Sequence, residues 1–178
     1  SLMCRSLYGN IKSARFWSSY IQLSELARFQ LKWWFDNLQD LNGFPICKEP
    51  SIVKFEFSST GDASDRGLFV YKMDSKQRLF SRPFTAVESE ESSTFKELTA
   101  VHETWTNVDF LTEFAGKTVG HYGDNKTVTY ILSGGSRNPR LQKLSLDIFL
   151  SLRILLLLVP TWISREIDII SWADWGSR

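Results

Sequence analysis

The sequence contains few of the residues that build disulfide frameworks and thiolate or imidazole metal sites. Its 178 residues include only two cysteines, Cys4 and Cys47, and only two histidines, His102 and His121. Two cysteines cannot form a disulfide framework or a four-ligand zinc site. This scarcity favours a reducing compartment, so we expect an intracellular protein of the cytoplasm or nucleus.

The sequence also lacks an excess of charge and a hydrophobic run of membrane length. It has 21 Lys and Arg against 20 Asp and Glu, a net charge of +1. This balance excludes a histone-like binder of polyanions, although not a local basic face. The most apolar stretch, residues 148–159, contains Arg153 and ends at Pro160, whereas a membrane helix needs about 20 apolar residues. We therefore expect a buried helix there and no membrane partner.

What the chain does have is enough apolar and aromatic side chains for a core, at 43% and 14% of its residues. The hydrophobic patterns predict, in order, three strands, a helix, a strand, two helices, a strand and a helix. This order is typical of an α/β fold with a mixed sheet covered by helices. The predicted strands span 52–57, 67–73, 78–87, 117–123 and 161–163, and the predicted helices span 94–113, 125–132, 140–158 and 170–176.

Two regions are expected along the chain, residues 1–50 and residues 51–178. The first 22 residues show little periodicity, and a helix then starts with Ser24 as its N-cap and runs to about Leu38. Trp33, Trp34 and Phe35 make this helix apolar nearly all round, so we expect it to pack between two bodies. The chain begins without Met, and we interpret it as a piece of something larger.

Four acidic residues occupy positions that a mixed sheet would bring together. Asp62 follows the first predicted strand, Asp124 ends the fourth, Glu97 lies one turn into the first long helix and Asp174 lies in the last helix. If the first and fourth strands are parallel neighbours, Asp62 and Asp124 lie side by side at the strand ends, where ligand sites are common.

Such a cluster favours hard divalent cations. Four carboxylates in one pocket repel each other unless cations neutralise them. Oxygen ligands without His or Cys favour Mg²⁺ or Mn²⁺ over Zn²⁺, and two ions about 4 Å apart can clamp the attacking and leaving oxygens of a phosphoryl transfer. The site therefore points to metal-dependent cleavage of a phosphodiester.

Each acidic residue also has a purely structural interpretation, and these remain open at this point. Asp62 fits an Asx-turn, and Thr94 with Glu97 fits a capping box. Asp124 fits an N-cap before a helix, and Asp174 fits a solvated helix face. These interpretations do not explain why all four residues occur in this order of elements.

That order, with its local sequence, resembles the ribonuclease H domain of reverse transcriptases, with DIRS-type retrotransposons nearest and LTR elements next. The resemblance includes Asp62-Ala63-Ser64-Asp65-x-Gly67, the helix with Glu97 and Asp124-Asn125. It continues through Ile131-Leu132-x-x-Gly135-Ser136, Trp162-Ile163 and Ala173-Asp174-x-x-Ser177-Arg178. It implies a ribonuclease H-like fold over residues 51–178, with a five-stranded mixed sheet in which two parallel strands follow three antiparallel ones. Residues 1–50 resemble the connection that follows the polymerase domain, which would be a partner in cis.

The resemblance also implies residue roles and an activity. Asp62 would bridge two Mg²⁺ ions, for which Mn²⁺ could substitute. Glu97 and Asp124 would hold the ion nearer the leaving group, and Asp174 the ion that activates water. The activity would be endonucleolytic hydrolysis of the RNA strand of RNA–DNA hybrids, which leaves 5′-phosphate and 3′-hydroxyl ends. Two residues, Ser93 and Thr94, are candidates to contact the 2′-hydroxyl, although both also fit a helix cap.

Basic residues that follow Gly134-Gly135 could contact phosphates of the hybrid, namely Arg137, Arg140 and Lys143. They fit the solvated start of a helix equally well. The acidic segment 88–91 is interpreted as a solvated turn. His102 is interpreted as a half-buried packing residue of the long helix, and His121 as a strand residue.

The sequence departs from the family in one respect that bears on function. Cellular ribonucleases H carry a His before the last Asp, and none lies between Pro160 and Asp174 here. A separate alternative is a catalytically decayed ribonuclease H-like module that binds hybrid or a protein partner, although the presence of all four carboxylates favours the enzyme. A transposase core is disfavoured, because its carboxylates run Asp, Asp, Glu along the chain.

Overall fold

The computed structural model describes residues 2–42, 55–152, 157–164 and 168–178. After a short 3-10 helix at Leu2–Cys4, the elements in chain order are α1 (Arg5–Ser13), α2 (Glu25–Leu41), β1 (Phe57–Ala63), β2 (Gly67–Lys72), β3 (Arg78–Pro83), α3 (Ala86–Ser89), α4 (Ser93–Trp105), α5 (Val108–Glu113), β4 (Thr118–Gly123), α6 (Lys126–Gly134), α7 (Pro139–Leu152), β5 (Leu157–Trp162) and α8 (Asp168–Ser177).

The five strands form one mixed sheet in the order β3-β2-β1-β4-β5. The pairs β1–β2 and β2–β3 are antiparallel, whereas β1–β4 and β4–β5 are parallel. The predicted fold class is therefore confirmed: this is a ribonuclease H-like fold, with the two parallel strands added beside the antiparallel meander.

Several predicted element boundaries are wrong, and local chemistry explains most of them. The helix predicted over 94–113 is two helices, because Asn107 caps a new helix by accepting a hydrogen bond from the Asp109 N–H. The third strand ends at Pro83, and a capping box between Thr85 and Glu88 starts α3.

Two further predictions need correction, one at each end of the chain. The helix α1 lies in a region where no helix was predicted. The long helix is described over Pro139–Leu152, and residues 153–156 lie outside the described part of the chain. Pro160 does not close this helix but lies within β5. Residues 52–54 of the strand predicted over 52–57 lie outside the described residues, and β1 begins at Phe57.

Helices cover both faces of the sheet. On one face, α4, α6 and α7 pack over a core that includes Leu98 and Trp105, both fully buried. On β2, Val70 points towards this face and packs with Ala100 of α4. Successive side chains of a strand point to opposite faces of the sheet. The next residue towards the N-terminus, Phe69, therefore faces the opposite side, where its ring lies against Gly176 of α8. Within the described part of the chain, no helix combines the length and hydropathy needed to cross a membrane.

Two buried glutamines hold the N-terminus of the chain, Gln30 from α2 and Gln142 from α7. The backbone carbonyl of Leu2 accepts hydrogen bonds from Gln30 Nε2 and from Gln142 Nε2, each at 3.1 Å. Leu2 and Met3 form an apolar cluster with Leu146 of α7, against which Leu26, Trp33, Trp34 and Phe149 pack. One face of α2 is thus packed on the body, while Phe35 on another face is 86% exposed.

Candidate metal centre at the sheet edge

Three of the four predicted carboxylates meet at one edge of the sheet. One carboxylate oxygen from each of Asp62, Glu97 and Asp124 lies within 4.8 Å of the others. The pairing of β1 and β4 accounts for two of them, since Thr60 is in register with Tyr122 and the same register places Asp62 beside Asp124. Glu97 reaches this edge from the second turn of α4.

Asp62 is buried beside two other carboxylates and a hydroxyl group. Burial raises the pKa of Asp62, and the nearby negative charge of Asp124 raises it further. The hydrogen bond that Ser177 Oγ donates to Asp62 Oδ2 at 3.1 Å opposes this rise. The ionised form of this carboxylate is therefore disfavoured as it stands, and a bound cation would reverse that preference.

Asn125 helps to position Glu97. Its side-chain oxygen caps α6 by accepting hydrogen bonds from the Thr127 and Val128 N–H groups at 3.0 and 3.3 Å. Its amide nitrogen donates to Glu97 Oε1 at 3.0 Å. The same side chain thus fixes the start of α6 and the orientation of a carboxylate.

Asp124 is fixed through its backbone. The indole N–H of Trp162, at the end of β5, donates to the Asp124 carbonyl at 2.9 Å. The ammonium of Lys126 lies 4.2 Å from the Trp162 ring centroid, so the ring is held from one side by a cation–π contact.

Asp174 does not belong to the group of three. It lies on α8, and its carboxylate forms an ion pair with Arg178 at 2.7 Å. Its charge nevertheless contributes to the raised pKa of Asp62. The end of α8 is joined to the turn between β1 and β2, because the Ser64 hydroxyl donates to the Ser177 carbonyl and Arg66 Nη1 donates to the Arg178 carbonyl at 3.3 Å.

The local caps differ from the structural interpretations of the sequence. The N-cap of α4 is Ser92, which accepts a hydrogen bond from the Phe95 N–H, so Thr94 and Glu97 form no capping box. The N-cap of α6 is Asn125 rather than Asp124. Ser93 and Thr94 lie in the first turn of α4, where Ser93 is exposed and Thr94 half-buried.

The basic candidates have different surroundings. Arg140 is paired with Glu91 at 2.7 Å and lies 4.5 Å from the Phe95 ring centroid, so it ties the start of α7 to the start of α4. Lys143 is exposed on α7 beside Asp147 and faces a groove shared with α2. Arg137 is exposed in the turn before α7 and lines a second cavity.

His121 lies beneath the site as a packing residue. Its Nδ1 lies 3.0 Å from Ser59 Oγ and accepts a hydrogen bond from the Trp105 indole at 3.4 Å. Burial lowers the pKa of His121 to about 4, so the ring is neutral at physiological pH. His102 lies on α4 near Asp147.

Two residues of the site were not predicted from the sequence, Asn125 and Ser177. Asn immediately before a helix is a recognisable N-cap signal, but nothing in the sequence indicates that its amide turns towards Glu97. The contact between Ser177 and Asp62 joins residues more than 100 positions apart, which no local pattern predicts.

The donor set fits a hard divalent cation. Three carboxylates supply only oxygen ligands, two of them are buried, and their oxygens are close enough to share an ion. Oxygen-only sites of this kind suit Mg²⁺ or Mn²⁺.

No family model and no curated protein matches the chain, but solved structures do. It is similar to ribonuclease H1 from the halophilic archaeon Halobacterium salinarum, with a TM-score of 0.50, 15% identity, and coverage of 67% of this chain and 92% of that one. It is also similar to the N-terminal ribonuclease H domain of a Mycobacterium tuberculosis protein, with a TM-score of 0.46, 14% identity and coverage of 68% and 97%.

A third similar structure is the foamy viral protease-reverse transcriptase in complex with an RNA/DNA hybrid. The TM-score is 0.45 at 14% identity, and the alignment covers 94% of this chain and 22% of that protein. The chain therefore spans about a fifth of the viral protein's length. At 15% identity, the similarity to the Halobacterium salinarum structure shows the ribonuclease H-like fold alone.

Proposed function

We propose that this chain hydrolyses the RNA strand of RNA–DNA hybrids as the ribonuclease H domain of a retroelement reverse transcriptase. The observation that carries the proposal is the meeting of Asp62, Glu97 and Asp124 at the edge of a ribonuclease H-like sheet. The reaction would be endonucleolytic and would leave a 5′-phosphate and a 3′-hydroxyl.

In this proposal the carboxylates hold two Mg²⁺ ions, with Mn²⁺ as a possible substitute. When bound, the ions supply charge stabilisation for the attacking and leaving oxygens. Asp62, Glu97 and Asp124 bind them, while Asn125 keeps Glu97 oriented through its hydrogen bond at 3.0 Å. Asp174 would complete the site by holding an ion in place of its ion pair with Arg178.

The wider context belongs to the same proposal. Residues 1–50 serve as the connection to a polymerase domain in cis, and residues 51–178 form the ribonuclease H domain. The ordered motifs favour a DIRS-type element. The exposed face of α2, on which Phe35 is 86% exposed, is consistent with a further contact on that side.

The test is cleavage of a labelled RNA–DNA hybrid in Mg²⁺, compared with double-stranded RNA and double-stranded DNA. We expect cuts only in the RNA of the hybrid, with 5′-phosphate products. Asp124→Asn should lose at least about 100-fold in rate, since several kcal/mol of charge stabilisation depend on the ion. The matched control is Asp109→Asn, an exposed carboxylate on α5, which should cut like the parent.

Retention of near-parental activity in a folded Asp124→Asn protein would overturn the assignment of the site. The ion pair between Asp174 and Arg178 specifically favours a second candidate, a decayed module that binds hybrid without cutting it. Hybrid binding without cleavage in either Mg²⁺ or Mn²⁺ would decide for that candidate.

A further inference from the structure

A cavity of about 300 Å³ lies between the N-terminal segment and the turn that precedes α7. Its walls come from α1, from the start of α2 and from residues 136–142. Because a water molecule occupies about 30 Å³ in the liquid, the cavity has room for a phosphate group and several waters.

The charge in this cavity is of one sign. Arg5 and Arg137 line it, and none of the described lining residues is acidic. No ion pair joins either arginine to a carboxylate among the described residues. Two guanidinium groups that share a cavity without a counter-charge repel each other, and an anion between them would relieve that repulsion.

Arg5 supplies a second, independent observation. Its Nε atom is buried and has no hydrogen-bond partner within the described structure. A buried N–H of a charged group that lacks an acceptor is costly, and such groups are normally satisfied by a protein, water or ligand oxygen. The guanidinium group presents donors in a planar fork that matches the oxygens of a phosphate.

The position of the cavity relates it to the carboxylates. Arg140 ties the start of α7 to the start of α4 through Glu91 and Phe95, and α4 carries Glu97 little more than one turn further on. The cavity is lined by Pro139 and Gln142 of α7, so it lies at the same end of this helix pair as the carboxylates. A duplex bound there presents phosphates along its whole length.

We propose that Arg5 and Arg137 together bind one backbone phosphate of the nucleic acid. The inference rests on the proposed function and adds to it a contact from the N-terminal segment. In this arrangement the 1–50 region contributes directly to substrate binding, and one phosphate bridges the two regions of the chain.

The experiment measures hybrid binding by fluorescence anisotropy over a range of salt concentrations. The protein is the full chain with the substitution Asp124→Asn, and Mg²⁺ is present. Arg5→Met or Arg137→Met is added to this variant. Each change should weaken binding about tenfold at low salt, as expected for one charged hydrogen-bonded contact. Each should also make the salt slope shallower by about one unit. The loss of affinity in the double variant should be smaller than the two single losses combined, because both arginines hold the same phosphate.

The matched control is Lys117→Met, which removes one exposed positive charge at the start of β4, at the opposite edge of the sheet. If the affinity and salt slope of the arginine variants equal those of this control, the inference is overturned. Because Arg137 lies on an exposed turn, its variant tests the site even if Arg5→Met fails to fold.

Inorganic phosphate distinguishes the source of the anion. Stabilisation by phosphate that Arg5→Met abolishes, together with weakened hybrid binding, supports the inference. Stabilisation by phosphate with hybrid binding unchanged in both variants would overturn it in favour of a site for free phosphate. The cleavage assay is separate: a parental chain that cuts no hybrid refutes the proposed activity, whatever the arginine variants do.

Discussion

Replacing Arg82 should destabilise the protein in a pH-dependent way. Arg82, on the edge strand β3, bonds to Glu88 of α3 at 2.7 and 3.0 Å and to Glu103 of α4 through Nε at 2.6 Å. A second contact to Glu103 is made through Nη2. This ion cluster ties the edge of the sheet to α4, the helix that carries Glu97.

The magnitude follows from the pKa of Glu88. The hydrogen bonds from Arg82, with smaller contributions from Thr85, lower that pKa from 4.5 to about 2, and each unit corresponds to about 1.4 kcal/mol. The full shift would be worth about 3 kcal/mol, but the Glu88 side chain is 26% exposed and solvent screens the pair. We therefore expect Arg82→Met to lower the free energy of unfolding by about 2 kcal/mol at pH 7.

The direction of the pH dependence is fixed by the sign of the shift. A carboxyl whose pKa is lowered by folding stabilises the protein above its unfolded pKa, and this contribution is lost as the pH falls towards the folded pKa. The difference between parent and Arg82→Met should thus be constant above about pH 5 and shrink between pH 4.5 and about 2.

The assay is urea unfolding at a series of pH values from 7 to 3. The control is Lys32→Met, which breaks an exposed pair with Asp36 on α2 and should change the free energy of unfolding by less than about 0.5 kcal/mol. A difference for Arg82→Met that is as small as the control, or that does not change with pH, would refute this reasoning.

Three further results are expected. Gly176→Ala should cost about 1–3 kcal/mol in thermal or urea unfolding, because its Cβ would overlap the Phe69 ring; unchanged stability would contradict the packing of α8. Ser177→Ala should weaken Mn²⁺ binding measured by calorimetry, since it removes the hydrogen bond to Asp62, and unaltered affinity would show that this bond does not position the carboxylate. A chain without residues 1–50 should melt at a lower temperature than the full chain, because apolar residues of α7 become exposed; equal melting temperatures would argue against that packing.

Much of the sheet could be predicted from the sequence, because each strand carries its own apolar pattern between polar turns. The prediction that Asp62 and Asp124 lie side by side assumed that β1 and β4 are parallel neighbours. The structure has this pairing, with Thr60 in register with Tyr122. The end of α7 could not be placed, since the apolar run 148–159 is equally compatible with a helix and a buried strand.

The site was less predictable than the fold, for a physical reason. The carboxylates of Asp62, Glu97 and Asp124 could be anticipated from their positions at strand and helix ends. The side chains that orient them act across long sequence separations, as Ser177 does on Asp62. The acidic segment 88–91, interpreted as a solvated turn, instead supplies partners for Arg82 and Arg140, because the cations come from distant elements.

The most direct test of the metal centre is anomalous diffraction from crystals of the full chain grown with Mn²⁺ and an RNA–DNA hybrid. Two proteins are compared, the Asp124→Asn variant and the parent, and the parent is crystallised with a hybrid whose RNA strand cannot be cleaved. The account predicts, in the parent, one ion bound by Asp62, Glu97 and Asp124, and a second contacting Asp62 and Asp174, with the Arg178 pair broken. It predicts loss of at least one ion in Asp124→Asn. Parent crystals with bound hybrid and no manganese among these carboxylates would contradict it.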